Sequence, residues 1–363
     1  MSDAILKRKF ISLDALSGWV KAMGQNARVY APKKEGAAVV YRPVGEDGAV
    51  ELLARPTESA KHVVFPRTEA LFTFKREGDP ENPDARKLSL EEAQEPGETV
   101  IFGALSCDAR GFFAFDPVYN GSGTKDSTKG PAKDVYYLKR RSKTAIVVKA
   151  CKSALRTCFC NWVGGDPASP MGADVLMTET NTGLVLEAYT EKGAALLDLA
   201  GPVEADDAQV KAAATAQEAV RKSLSEAPKL ENAPKALLSL FDNAVFWQGQ
   251  SAACLSCGAC TYLCPTCYCF NITDETNGID GTRIRTWDNC MSPLFTLEAS
   301  GHNPRVNKAA RLKNRVGHKY SYYPQLHEGR FSCTGCGRCI KSCPSSIDIR
   351  KIVLSALKEA ADV

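Results

Sequence analysis

The chain has 363 residues, 44% hydrophobic and 24% charged, with a formal net charge of +4. That is the balance of a globular chain able to bury a sizeable core in two or three domains, and the charge is too small to argue for nucleic acid or a membrane surface. The opening MSDAILKRKFISLDALSGWV has no signal-peptide core or cleavage site, and no apolar run approaches a membrane span. Fifteen cysteines are the anomaly, and eleven of them lie from Cys254 to Cys343. In a chain read as unexported, that density points to metal binding in a reducing cytosol rather than to disulfides.

In chain order, residues 1–25 read as helix, because Ile11, Leu13, Leu16, Trp19 and Val20 recur near helical spacing. Arg28–Pro32 and Ala37–Tyr41 read as short strands, and residues 43–60 as a small hairpin around Val50–Leu53. Thr99–Leu105 and Thr144–Val148 are apolar runs expected to be buried strands, ending just before Cys107 and Cys151. Residues 119–134 form a polar, glycine-rich loop. Asn181-Thr-Gly183 joins Val175–Thr178 to Leu184–Glu187 as a hairpin, and Glu191–Leu199 is a helix candidate. Residues 1–203 are therefore expected to form an α/β or α+β domain with a mixed sheet. Residues 204–235 read as a helical linker, and 236–363 as a second domain with helices at Leu237–Trp247 and Ile347–Ala361.

The second domain holds one pattern twice. Residues 254–265 are CLSCGACTYLCP and residues 333–344 are CTGCGRCIKSCP, both C-x2-C-x2-C-x3-C-P. This is the run that holds cubane [4Fe–4S] clusters, with three cysteines on one cluster and the fourth on its neighbour. The expected sets are Cys254, Cys257, Cys260 and Cys343 for one cluster, and Cys333, Cys336, Cys339 and Cys264 for the other. Structural zinc favours paired C-x2-C knuckles, a poorer match to these triple runs. The long stretch between the runs predicts a mainly α-helical ferredoxin-like module rather than a compact two-stranded scaffold.

Cys107 and Cys151 would share one end of a parallel sheet, and Cys158-Phe-Cys160 follows closely. These four are candidates for a third [4Fe–4S] cluster, with buried thiols or a zinc or redox site as alternatives. Cys267, Cys269 and Cys290 are read as packing around a cluster or hydrogen-bonding to its ligands, with ligation as the alternative. Arg305–Lys319 carries six cations, and no Asp or Glu occurs from 299 to 327. It reads as a solvated face, a stabiliser of reduced clusters or a dock for an acidic partner, with single-stranded nucleic acid as a weaker alternative. His62, His302, His318 and His327 are scattered and are not read as ligands, and no nucleotide motif is present.

The stretches VYAP (29–32), FPRTEALFTF (65–74), IFGALSCDARG (101–111), TCFCN (157–161), RTWDNC (285–290) and SGHNPR (300–305), with both cysteine runs, resemble the iron–sulfur beta subunits of soluble nickel–iron sulfhydrogenases. They are equally similar to the A subunit of anaerobic sulfite reductase and to iron–sulfur subunits that feed heterodisulfide reductases. The resemblance implies a cytoplasmic electron-transfer subunit with no catalytic residue of its own. Its partners would be an NAD(P)H-oxidising flavin/[2Fe–2S] subunit and a hydrogenase, sulfite reductase or heterodisulfide reductase, with no nucleic acid or membrane span. The alternative is a subunit that itself reduces a small substrate such as sulfite at an N-terminal iron–sulfur or flavin site.

Overall fold

The computed structural model describes residues 4–52, 54–78, 80–82, 86–92, 96–122 and 132–361. Its strands are β1 (Lys7–Ile11), β2 (Arg28–Glu35), β3 (Ala38–Pro43), β4 (Thr68–Gly78), β5 (Arg86–Glu92), β6 (Thr99–Leu105), β7 (Thr144–Lys149), β8 (Val175–Glu179), β9 (Leu184–Ala188), β10 (Val203–Glu204), β11 (Phe270–Thr276) and β12 (Asp280–Trp287). Eight of them form a sheet in the order β10-β1-β9-β8-β7-β6-β2-β3. Pairings within β2-β6-β7-β8 are parallel and the rest antiparallel, so the sheet is mixed. The central strands β6 and β7 are apolar and buried on both faces, as covered parallel strands must be. Alternation divides them. Val100, Phe102 and Val147 join Trp19 and Met23 of the helix Leu16–Gly24, while Ile101, Ile146 and Val148 join Phe112 and Phe115 of the helix Ser106–Tyr119.

Three local expectations change. Residues 7–11 are a strand, and the helix begins only at Leu16. Ile11, Leu16, Trp19 and Val20 do share one core, because the chain turns between strand and helix. Their spacing reflected a common destination rather than one helix face. Residues 44–52 and 54–60 form no ladder, and Leu53 lies outside the described residues. Isolated bonds hold this segment instead, from Glu51 N–H to the Pro32 carbonyl and from Thr57 N–H to the Val39 carbonyl. Finally, the helix expected at Leu237–Trp247 is two helices, Ala233–Ser239 and Ala244–Ser251, with the Asn243 side chain capping the second at 2.9 Å. Residues 123–131 of the glycine-rich loop lie outside the described residues.

A second sheet, antiparallel in the order β11-β12-β4-β5, takes strands from both sides of the 204–235 segment. The region between the cysteine runs is thus partly a hairpin, turned at Asn277-Gly278 with Gly278 at φ +101°. Buried charge fastens this sheet to the helix Val135–Ser142 that leads into β7. Arg285 Nε donates to Glu69 Oε1 at 2.7 Å and Nη1 to Asp134, and Glu69 also receives Arg140. Phe65 stacks on Trp287 with ring centroids 6.1 Å apart. A further core beneath the cysteine runs joins Leu237, Trp247, Leu312, Val316, Tyr320 and Ile352. The closing helix is Ile349–Glu359. Among the described residues, no helix is long and apolar enough to cross a membrane.

Arg285→Leu leaves Asp134 Oδ2 and Glu69 Oε1 without their buried cation, while Asp134 Oδ1 keeps the Tyr137 N–H. The expected loss is about 3–5 kcal/mol of unfolding free energy, measured by chemical denaturation.

Candidate metal centres

The two cysteine runs fold alike. In the first, Ser256 (φ +55°) and Gly258 (φ +76°) turn the chain through the left-handed region, and the short helix Ala259–Tyr262 follows. In the second, Gly335 (φ +66°) and Gly337 (φ +72°) do the same before Arg338–Lys341. Ser256 N–H approaches Cys254 Sγ at 3.4 Å, and Gly335 N–H approaches Cys333 Sγ at 3.4 Å. The repeated spacing therefore encodes a repeated turn that curls three sulfurs round a common centre. Ser256 tolerates its unusual backbone with its hydroxyl held by Arg311 Nη2 at 3.2 Å.

Across the runs, Cys254, Cys257, Cys260 and Cys343 line one cavity, together with Cys339, Met291, Leu312 and Arg315. Cys336 and Cys339 lie within electrostatic reach of both Cys333 and Cys264. Burial pushes these two thiols up to about 11 and about 12, and neighbouring thiolates push in the same direction. These two thiols ionise only when a cation neutralises them, and metal binding supplies that cation.

The surroundings fit an anionic guest. Lys61, Arg315 and Lys319 are buried at 3%, 4% and 2% exposure. Among the described residues, none of the three meets a carboxylate. Lys61 donates to the carbonyls of Cys267 (2.8 Å) and Thr261 (3.4 Å), Arg315 to that of Cys260 (3.4 Å), and Lys319 to Thr266 Oγ1 (2.8 Å). Arg315 Nε has no hydrogen-bond partner. The charges that Arg315 feels are the sulfurs of Cys260, Cys339, Cys267 and Cys264. An uncompensated buried cation costs several kcal/mol, and a cluster with four thiolates carries the negative charge that offsets it. Arg311, Arg315 and Lys319 therefore face inward, so the 305–319 stretch is not simply a solvated face. Tyr320 and Tyr323 are buried too, and cannot stack on bases.

The four N-terminal cysteines gather at the predicted end of the sheet. Cys107 opens the helix after β6, and Cys151 follows β7. Arg55 is within electrostatic reach of Cys107, Cys151 and Cys158, and Cys160 is within reach of Cys151 and Cys158. This group abuts the second run. Phe159 N–H donates to the Gly335 carbonyl at 2.9 Å. Asp108 forms a bidentate, buried pair with Arg338 at 2.5 and 2.8 Å. Sequence reading missed Lys61, Arg55, Asp108 and Arg338, because each acts through a partner distant in the chain.

Cys267 is within electrostatic reach of Cys264, and Cys269 of Cys290 across the base of the β11–β12 hairpin. Among the described residues, no three His, Cys, Asp or Glu side chains stand close enough to hold a single metal ion. His318 Nε2 lies 2.9 Å from the Tyr268 hydroxyl, and burial lowers its pKa to about 4.

A family model described as a 4Fe-4S dicluster domain matches residues 253–347. Over 335 residues, 90% of this chain and 91% of the relative, the sequence is 28% identical to sulfhydrogenase 2 subunit beta of Pyrococcus furiosus. No solved structure matches. The chain thus carries a 4Fe-4S dicluster domain and is similar over nearly its whole length to a hydrogenase beta subunit, as its motifs implied.

A Cβ at Gly337 would stand 2.2 Å from the Thr157 carbonyl oxygen, at a φ that L residues avoid. Gly337→Ala is expected to unseat the 157–160 segment and to cost about four irons per chain, one cubane, in a colorimetric iron assay. Gly249→Ala, where a Cβ meets nothing within 4 Å, should keep its full iron content.

Proposed function

We propose that this chain is an iron–sulfur electron-transfer subunit of a cytoplasmic multi-subunit oxidoreductase. It relays electrons between an NAD(P)H-linked flavin/[2Fe–2S] subunit and a catalytic partner, which is a hydrogenase, sulfite reductase or heterodisulfide reductase. The observation that carries this reading is the cavity lined by Cys254, Cys257, Cys260 and Cys343, three cysteines of one run and the last of the other. In this reading Cys333, Cys336, Cys339 and Cys264 form the second cage. Cys107, Cys151, Cys158 and Cys160 form a third, in an N-terminal domain (1–203) joined by 204–235 to the ferredoxin-like two-cluster domain (236–363). A bound [4Fe–4S] cluster accepts and returns one electron at a time.

The protein's own part is to hold position, charge and access. Arg315 faces sulfurs of both C-terminal cages, so its fixed charge serves either. Cys339, read as a ligand of the second cage, also lines the first cavity. Cys107 is within electrostatic reach of Cys336. The three sets therefore stand in file, with the 333–339 run in the middle. Cys257 is exposed at one end, which gives a partner access there. The similarity to a sulfhydrogenase beta subunit supports a hydrogenase-type complex.

One observation favours the second reading, reduction of a small substrate by this chain. Cys151 opens onto a cleft of about 610 Å³ lined by Lys152, Thr178, Glu179, Lys211 and Gln217. A cleft beside a redox centre could admit a small anion.

Anaerobic purification with iron and sulfide analysis tests the assignment. About eight irons per chain correspond to the two C-terminal cubanes and about twelve to all three. Cys264→Ser and Cys343→Ser should each remove a different EPR signal from the reduced chain, and Cys158→Ala should lower a count of twelve by about four. The isolated chain should reduce neither sulfite nor NAD(P)+, and turnover with either would favour the second reading.

A further inference from the structure

Cys264, the cysteine that crosses from the first run to the second cage, is surrounded unlike its counterpart Cys343. Thr266 Oγ1 lies 3.2 Å from Cys264 Sγ, and Lys319 Nζ donates to that same oxygen at 2.8 Å. A metal-bound thiolate can only accept, so the threonine hydroxyl gives its proton to the sulfur while its oxygen receives the ammonium. Thr266 and Lys319 are buried at 1% and 2% exposure. Lys61 arrives from the N-terminal part of the chain, donates to the Cys267 carbonyl, and lies 4.1 Å from the centre of the Trp287 ring. At the other crossing cysteine, among the described residues, Cys343 Sγ accepts only the Ile347 backbone N–H, at 3.3 Å. The residues matching Thr266 and Cys267 there are Ser345 and Ser346.

We infer that Thr266, Lys319 and Lys61 are positioning residues that raise the reduction potential of the cluster held by Cys264, so that the middle centre of the file retains electrons. The inference rests on the iron–sulfur reading above. Reduction adds negative charge that is shared by the ligand sulfurs. Donors aimed at a sulfur and fixed cations beside it stabilise that charge, and the potential rises. In a buried site the Lys319–Thr266–Cys264 chain reinforces itself, since each hydrogen bond polarises the next.

The test is redox titration of the anaerobic full-length protein followed by EPR, with the middle cluster's signal identified by its loss in Cys336→Ser. Thr266→Val removes the hydroxyl donor. At fixed potential it should lower the reduced-to-oxidised ratio of that cluster severalfold, because the bond is stronger to the more negative reduced cluster and the ratio reads that difference. Thr266→Ser should restore the ratio, and the signal lost in Cys343→Ser should titrate unchanged throughout. An unchanged midpoint at full iron content, or an equal shift of both signals, would overturn the inference. If Thr266→Val loses iron, Lys319→Met decides by the same criterion, because its side chain touches no ligand sulfur. An unaltered chain without iron would refute the iron–sulfur reading itself, a result distinct from either.

Discussion

The arrangement of this molecule turns on positive charge buried without acids. Lys61, Arg315 and Lys319 come from distant parts of the chain, yet they converge on the same group of sulfurs. Carbonyls and a hydroxyl satisfy some of their donors but cannot cancel their charge. Folding such residues inward is unfavourable unless an anion sits among them. A pair of thiolate-ligated clusters is that anion. The cations, the glycine turns and the hydrophobic core around Trp247 and Tyr320 then form one coherent design. The metal centres and the folded state should stabilise each other, as in other proteins whose core is completed by metal.

The N-terminal part of the chain and the part that carries the cysteine runs are joined by more than a linker. The second sheet draws β4 and β5 from one part and β11 and β12 from the other. Lys61 reaches into the cysteine region, while Arg338 reaches back to Asp108. These crossings tie the position of the N-terminal cysteines to that of the second run. A bidentate buried ion pair with backbone-to-backbone contact fixes that separation more firmly than a flexible joint would.

Much of this was legible in the sequence for definite reasons. The C-x2-C-x2-C spacing maps onto a turn whose conformation repeats, so a local pattern reports a local geometry. The apolar runs of β6 and β7 needed burial on both faces, and their ends located Cys107 and Cys151. Other features escaped because their signal is non-local. Ile11 shares a core with Trp19 through a turn, which imitates helical spacing. The strand β4 pairs with β12 more than two hundred residues later, as in Thr73 with Thr282, and nothing near either strand announces the other. The inward direction of Arg311, Arg315 and Lys319 was hidden in a stretch whose composition suggests solvent.

The close seat of residues 157–160 against Gly335 and Gly337 has a consequence for biogenesis. Translation delivers the N-terminal segment first, and the surface that receives it does not exist until the last part of the chain has left the ribosome. Through that interval Cys158 and Cys160 wait without their shelter, as do Cys254, Cys257 and Cys260 without Cys343. Oxygen or stray metal encountered then would meet open thiols. The nascent polypeptide is therefore most vulnerable before its final helix forms, and its yield in a cell should depend on how anoxic that interval is.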